Sequence, residues 1–142
     1  MIKDFYNELK ELRNRFNEAP TEEEKDQLRA EYEELDARIR EKGEGFAWVF
    51  RLYEESLEKE NSRLNLGQEC IWEKDIPMLL KGLGDAGIQE FTFSSTWSSS
   101  NETAFEFYKA GWKVTGMTLV NTYKKAFEEG YEQEPAYIFT RG

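Results

Sequence analysis

Two runs of apolar residues, with spacings that alternate between three and four, dominate the amino-terminal part of the chain. This spacing puts the side chains on one stripe of an α-helix, so each run predicts an amphipathic helix with a face to bury. The first run ends near Pro20, and Thr21 with Glu24 has the spacing of a capping box that begins the second helix. The stripes consist of Ile2, Phe5, Leu9, Leu12 and Phe16, and then Leu28, Tyr32, Leu35 and Ile39.

The short connection at Pro20 predicts that these two helices fold back on each other. Only about four residues join them, which favours an antiparallel helical hairpin over residues 1–44. Stripes of this spacing also resemble heptads, so they could pair with the same helices of a second chain. The sequence therefore allows a monomer or a homodimer formed through the N-terminal helices.

The rest of the chain alternates between helical and strand patterns, which predicts an α+β fold with a small mixed sheet. The length of 142 residues suits a single domain, 1–142, with the hairpin over 1–44 and an α/β portion over 45–142. Segment 61–72 is too short and broken to assign. The other expected elements are helices over 46–57, 75–86 and 101–110 and strands over 88–94, 112–120 and 136–140, the last two strands joined by an acidic loop.

Charge and composition exclude several classes of function. Nineteen Lys and Arg residues against 29 Asp and Glu give a formal net charge of −10, which disfavours direct contact with nucleic acid or anionic membranes. Histidine is absent and Cys70 is the one cysteine, so an internal disulfide, a Cys/His zinc site and imidazole catalysis are excluded. No apolar run reaches the roughly 20 residues of a membrane span. We expect a cytoplasmic protein without metal or cofactor.

The segment from Asn101 to Trp112 carries the most informative motif. It reads Asn-Glu-Thr-Ala-Phe-Glu-Phe-Tyr-Lys-Ala-Gly-Trp and resembles the N-x-x-A-x-x-F-Y-x-x-G-F segment of the GNAT acetyltransferases. The elements expected on either side follow the order of the carboxy-terminal half of that fold, so the resemblance covers about half of the chain. It implies that Tyr108 takes the place of the tyrosine that protonates the leaving thiolate, with Asn101 near the cofactor's path. Ordinary core packing is the alternative role for Phe107, Tyr108 and Trp112.

Residues 72–75 depart from the GNAT pattern. GNAT enzymes hold the pyrophosphate of acetyl-CoA with an R/Q-x-x-G-x-G/A loop, because backbone N–H groups at a helix start stabilise phosphate charge. The corresponding residues here are Trp72, Glu73, Lys74 and Asp75, which include no glycine and place two carboxylates where phosphates would lie. We therefore expect a truncated GNAT-like half without its acetyl-CoA site.

A second glycine pattern, from Gly82 to Gly87, matches GxGxxG letter for letter. A dinucleotide site requires this motif to follow a strand and open a helix, whereas here it ends a helix and leads into a strand. We expect the glycines to form a helix stop and a tight turn.

The second helix carries many acidic residues on the side away from its apolar stripe. Some, such as Asp36 with Arg40 and Glu34 with Arg38, have the i,i+4 spacing of weak helical ion pairs, so a solvated face is one interpretation. The other is a row of carboxylates about 30 Å long that imitates a phosphate backbone. The candidate partner-binding residues are Glu22, Glu23, Asp26, Glu31, Glu33, Glu34 and Glu41, with Trp97 in the hydroxyl-rich tract 94–100.

The whole chain also resembles small acidic proteins of phages and conjugative elements, a setting in which anti-restriction and anti-CRISPR proteins are common. This resemblance and the charge predict a non-catalytic inhibitor of a basic nucleic-acid-handling enzyme. The alternatives are a divergent GNAT-like N-acetyltransferase that uses acetyl-CoA and an assembly module that uses its helical hairpin.

Overall fold

The amino-terminal hairpin forms as the apolar stripes predict. The computed structural model describes residues 1–141, in which α1 spans Ile2–Glu18 and α2 spans Glu22–Glu41. Between them, the hydroxyl of Thr21 accepts a hydrogen bond from the backbone N–H of Glu24 at 3.2 Å, which satisfies one of the free donors at the start of α2. None of the helices described in residues 1–141 is long and apolar enough to cross a membrane.

A third helix, α3 (Glu44–Glu58), joins the hairpin to the remaining elements. Phe5 of α1 packs edge-on against Phe46 of α3 with ring centroids 5.8 Å apart; Phe46 belongs to the main hydrophobic core, and the half-buried Phe5 packs against it. At the surface, Arg13 of α1 forms ion pairs with Glu54 and Glu58 of α3. These contacts extend one hydrophobic core from the hairpin into the α/β portion.

Helix α4 (Ile76–Asp85) crosses α3 at two glycines. A Cβ atom added at Gly82 would lie under 3.0 Å from the backbone of Gly45, and one added at Gly45 would lie equally close to the backbone of Met78. The expectation that Gly82 belongs to a helix stop is therefore wrong, because Gly82 is buried inside α4 and allows close helix packing. Gly87, with φ of +70°, does form the turn that ends the helix.

The sheet has four strands in the order β1-β2-β4-β3: β1 (Asn65–Leu66), β2 (Glu90–Phe93), β3 (Trp112–Lys124) and β4 (Tyr131–Arg141). β1 runs parallel to β2, and β4 pairs antiparallel with both β2 and β3. Helix α5 (Ser100–Lys109) covers one face, where its Phe107 contacts Phe91, Phe93 and Phe139 with centroids 5.1–5.4 Å apart. The α+β class with a small mixed sheet is confirmed.

Some local predictions need correction. β3 and β4 extend into the region expected to be an acidic loop, because their ladder continues to the pair Lys124 and Tyr131. The sequence also predicts helix caps at Asp75, before α4, and at Ser99, which has capping-box spacing with Glu102 of α5, but neither side chain caps its helix. Both residues have ψ near zero, whereas a capping side chain reaches the helix N–H groups from the extended backbone conformation.

Candidate functional site

The outer face of α2 is defined by the residues that the helix buries. Leu28, Leu35 and Ile39 are buried, and an α-helix advances about 100° per residue, so the opposite side of α2 points to solvent. Six acidic residues are exposed on that side, and we call them the acidic face: Glu22, Glu23, Asp26, Glu33, Glu34 and Glu41.

The acidic face consists of two rows of carboxylates. At about 1.5 Å per residue, the rows run for about 28 Å along α2. The exposed alanines between them have short side chains, so the carboxylates are the groups that protrude. One row contains Glu22, Asp26 and Glu33, the other contains Glu23, Glu34 and Glu41, and Ala30 and Ala37 lie between the rows.

Only part of the acidic face is neutralised by neighbouring cations. Glu22 lies 3.6 Å from the Lys25 ammonium group, and Asp26 lies 2.5 Å from the Arg29 guanidinium group. Within residues 1–141, the remaining four carboxylates form no ion pair; they belong to Glu23, Glu33, Glu34 and Glu41. These four are the charges available to a partner.

Arg38 does not pair with Glu34 as the i,i+4 spacing suggested. Its guanidinium donates to the Glu8 carboxylate of α1, and this hydrogen bond is the main cause of the raised pKa of Arg38. The pair expected between Asp36 and Arg40 does form, at 2.9 Å. Arg38 therefore pairs with α1 and leaves Glu34 without an ion pair, although the charge of Glu34 also helps to raise the pKa of Arg38.

Glu31 lies off the acidic face, although the sequence grouped it with the exposed acids. Its side chain is half-buried, its Oε2 atom is buried, and Arg15 of α1 lies 3.5 Å from that atom. Helical geometry accounts for this position, because Glu31 follows Leu28 by three residues and thus borders the buried stripe. Glu31 belongs to the contact between α1 and α2.

The structure places Trp97 outside α2, in the loop between β2 and α5. Its side chain is exposed and its backbone N–H donates to the Ser95 hydroxyl at 3.2 Å. The cavities lined by α2 do not include Trp97. Trp97 and the predicted acidic residues of α2 therefore do not form one site.

The two residues implied by the GNAT resemblance lie on the exposed side of α5. Tyr108 is 66% exposed, and its ring stacks on that of Phe105 with centroids 6.3 Å apart. Asn101 is exposed in the first turn. The alternative prediction, a role in core packing, is correct for Phe107 and Trp112, which are buried, and wrong for Tyr108, which is exposed.

The carboxyl ends of the parallel strands β1 and β2 lie against each other. Open α/β sheets bind ligands in the crevice at such ends. Here an added Cβ on Gly67 would lie under 3.0 Å from the Ser95 backbone. The side chains of Gln68 and Asn65 both donate to the Ser94 hydroxyl, at 2.8 and 3.0 Å. These contacts hold the ends of the two strands together.

A polar cavity of about 200 Å³ beside this crevice escaped the sequence analysis. Its lining includes Asn61, Asn65, Gln68 and Asn121, which come from separate segments and share no motif. Most of their amide groups already bond within the protein; Asn65, for example, accepts from the Thr92 hydroxyl at 2.7 Å. The Gln68 Oε1 atom is buried without a hydrogen-bond partner, and Glu55, Lys59 and Glu69 also line the cavity.

A larger groove of about 790 Å³ between α2 and α3 was also not predicted from the sequence. Tyr32 and Trp48 line it, and the Trp48 indole N–H donates to Glu69 at 2.6 Å. Tyr32 belongs to the predicted apolar stripe but is 47% exposed, and the periodicity of the sequence does not reveal this exposure.

Within residues 1–141, no group of His, Cys, Asp and Glu could hold a metal ion.

A family model for a domain of unknown function, DUF7698, matches residues 48–141. The matched range begins within α3 and includes the sheet, α4 and α5, whereas α1 and α2 lie outside it. No curated protein matches the chain, and no solved structure matches it either. The match spans well over half of the 142 residues, so the chain belongs to the DUF7698 family.

Proposed function

We propose that this chain is a non-catalytic binding protein that inhibits a basic nucleic-acid-handling enzyme through the acidic face of α2. The observation that carries the proposal is the exposure of four unpaired carboxylates on one side of α2: those of Glu23, Glu33, Glu34 and Glu41. A surface evolved to bind phosphate with Lys and Arg would also bind such carboxylates. The partner is a protein met in the cytoplasm, with no direct binding to nucleic acid or membrane.

The spacing of the charges indicates how much of a nucleic-acid site α2 would fill. Duplex DNA carries one negative charge per about 1.7 Å of axis, whereas the six carboxylates of the acidic face average one per roughly 5 Å. The acidic face would therefore occupy only some of the phosphate positions in a basic groove. It would compete with nucleic acid there, and other contacts would supply the remaining affinity.

The packing of the sheet supports a binding role over a catalytic one. The ends of β1 and β2 are held together by the contacts of Gly67 with Ser95 and of Gln68 with Ser94. Glu73 and Lys74 form a 3₁₀ turn before α4, so carboxylate charge lies near the helix start that a phosphate would need.

Charge reversal on α2 tests the proposal. In a panel of purified restriction and CRISPR nucleases, we expect the parent chain to inhibit at least one, more weakly as salt rises. The variant E23K/E33K/E34K/E41K should lose that inhibition while its unfolding free energy changes little, since each site is exposed. Cleavage assays against salt concentration and urea unfolding measure the two effects.

A matched variant separates position from net charge. E73K/E128K/E129K/E132K makes the same change in net charge at exposed sites outside α2 and should still inhibit. Equal inhibition by both variants and the parent, or no inhibition of any nuclease, would reject the acidic face as the binding site.

The second candidate function is GNAT-like acetyl transfer. It is favoured by the strand, helix and strand order of β2, α5 and β3 around the motif that contains Asn101 and Tyr108.

A melting experiment with acetyl-CoA tests this candidate. A ligand at 100 times its dissociation constant stabilises a fold by about 2.7 kcal/mol, which raises the melting temperature by several degrees. We expect no rise, because the ends of β1 and β2 are held together and the carboxylate of Glu73 lies near the start of α4. A clear rise would favour the enzyme, and Tyr108→Phe should then slow acetyl transfer without unfolding the protein.

A further inference from the structure

Helices α2 and α3 leave a groove of about 790 Å³ between them, and α1 contributes to its floor. The residues of the floor all belong to the hydrophobic core of the protein. They are Leu9 of α1, Leu35 and Ile39 of α2, and Phe50 of α3. The groove therefore reaches down to the side chains that pack the three helices together.

Two aromatic side chains extend this apolar lining to the surface. Tyr32 of α2 is 47% exposed, and Trp48 of α3 is half-buried. The Trp48 indole N–H already donates to Glu69 at 2.6 Å, so the rest of its ring is apolar surface. A concave apolar surface with charged residues at its rim is typical of a binding site.

The walls of the groove favour a helix as its occupant. The groove runs along α2 from Tyr32 to Gly43, where the chain turns into α3, and this distance is about 16 Å, or three helical turns. Both walls are helices, whose backbone groups bond within each helix, so an extended peptide would find no strand edge to pair with. A helix satisfies its own backbone and needs only to bury an apolar side.

The two arginines that line the groove are paired within the chain. Arg40 lies 2.9 Å from Asp36. Arg51 lies 3.2 Å from Glu55 and 3.0 Å from Glu69. These arginines therefore offer no unbalanced positive charge to a partner.

The acidic residues at the groove outnumber the basic ones. Glu54 pairs with Arg13 of α1, which also pairs with Glu58, and Glu44 forms no ion pair within residues 1–141. Counting the charged residues of the lining and their ion-pair partners, three arginines meet six carboxylates, a net charge of −3. The arginines are Arg13, Arg40 and Arg51, and the carboxylates are those of Asp36, Glu44, Glu54, Glu55, Glu58 and Glu69.

This negative charge decides which kind of helix fits. A basic helix is attracted to the rim of the groove, whereas an acidic helix is repelled. None of the helices in residues 1–141 carries a net positive charge, and the whole chain carries −10, so a second copy of this chain is a poor match.

We propose that the groove between α2 and α3 binds a basic amphipathic helix of a partner protein. Apolar side chains at the spacing i, i+3, i+4 and i+7 contact Tyr32, Trp48 and the floor, and Lys or Arg residues beside that stripe lie near the carboxylates of the rim. The site is separate from the unpaired carboxylates of Glu23, Glu34 and Glu41, since Glu34 lies about 160° around α2 from Asp36. The inference therefore does not depend on the nuclease inhibition proposed above.

Fluorescence anisotropy with labelled peptides and the full chain tests this proposal. The probe is a peptide of about 14 residues built from Leu, Lys and Ala, with Leu at the helical spacing. It should bind at least about tenfold more tightly than a scrambled peptide of the same composition, and a peptide with Glu in place of each Lys should not bind. No binding of the probe, equal binding of the scrambled peptide, or binding of the Glu peptide would overturn the proposal.

Two pairs of variants place the binding at the groove. Tyr32→Lys should weaken binding of the probe by at least about tenfold, whereas Phe127→Lys makes the same change in charge at a fully exposed site elsewhere and should bind as the parent does. Glu44→Lys, at an exposed rim position, should weaken binding more than Glu132→Lys, at an exposed position on β4. Urea unfolding checks that each variant is folded. Equal binding within both pairs would reject the groove as the site.

Sedimentation equilibrium tests the other occupant, a second copy of the chain. The parent chain should stay at 16.8 kDa at the concentrations of the peptide experiment. A parent dimer that Tyr32→Lys dissociates, while Phe127→Lys leaves it intact, would identify a second copy in the groove and overturn the proposal.

Discussion

Replacing Gly82 with alanine should destabilise the protein by about 3 kcal/mol, because the added methyl group has no room. It would lie under 3.0 Å from the backbone of Gly45, and a backbone cannot turn aside as a flexible side chain can. Helices α3 and α4 would have to separate, which would loosen the buried contacts around Val49 and Leu79. Since small domains are stable by only about 5–15 kcal/mol, urea unfolding should show this loss clearly.

Gly84 provides the matched control for that substitution. It lies two residues further along α4, and an added Cβ would meet nothing within 4 Å. Gly84→Ala should therefore stabilise the protein by roughly 0.5–1 kcal/mol, since alanine is a better helix former than glycine. Equal effects at Gly82 and Gly84 would mean that the two helices are not in close contact.

Leu35→Ala should cost about 2–5 kcal/mol, the range for removing a fully buried leucine side chain. Leu35 is 1% exposed in the middle of α2, between the hairpin contact and the groove beside α3. The loss should appear as a lower urea midpoint with an unchanged slope if unfolding stays two-state.

Tyr32→Ala is the comparison for Leu35→Ala. Tyr32 lies one helical turn earlier on the same stripe but is 47% exposed, so its removal should cost clearly less. A loss under about 1 kcal/mol for Leu35→Ala would show that α2 does not pack as described, and the stripe would then be a surface for a partner.

The proposed binding surface and the family match occupy different parts of the chain. The match covers residues 48–141, whereas the acidic face lies on α2. The inhibitor function proposed here therefore concerns this chain with its hairpin, and the family match by itself neither adds to it nor weakens it.

The sequence by itself determined the helices and the outer side of α2. Apolar spacing is a local property, so α1, α2 and α3 could be predicted closely, and the acidic side follows as the side opposite Leu28, Leu35 and Ile39. Even the cap at Thr21 was predictable, because it depends on residues only three apart.

Tertiary structure decided what depends on residues far apart in the chain. Gly82 was expected in a turn but lies inside α4, where it contacts Gly45. Arg38 was expected to pair with Glu34 but donates to Glu8 of α1. The order of the strands, which exposes β3 at the edge, likewise has no local signal. Periodicity records which side of an element is buried, but only packing fixes the neighbour that buries it, and hence which charges and apolar side chains stay free for a partner.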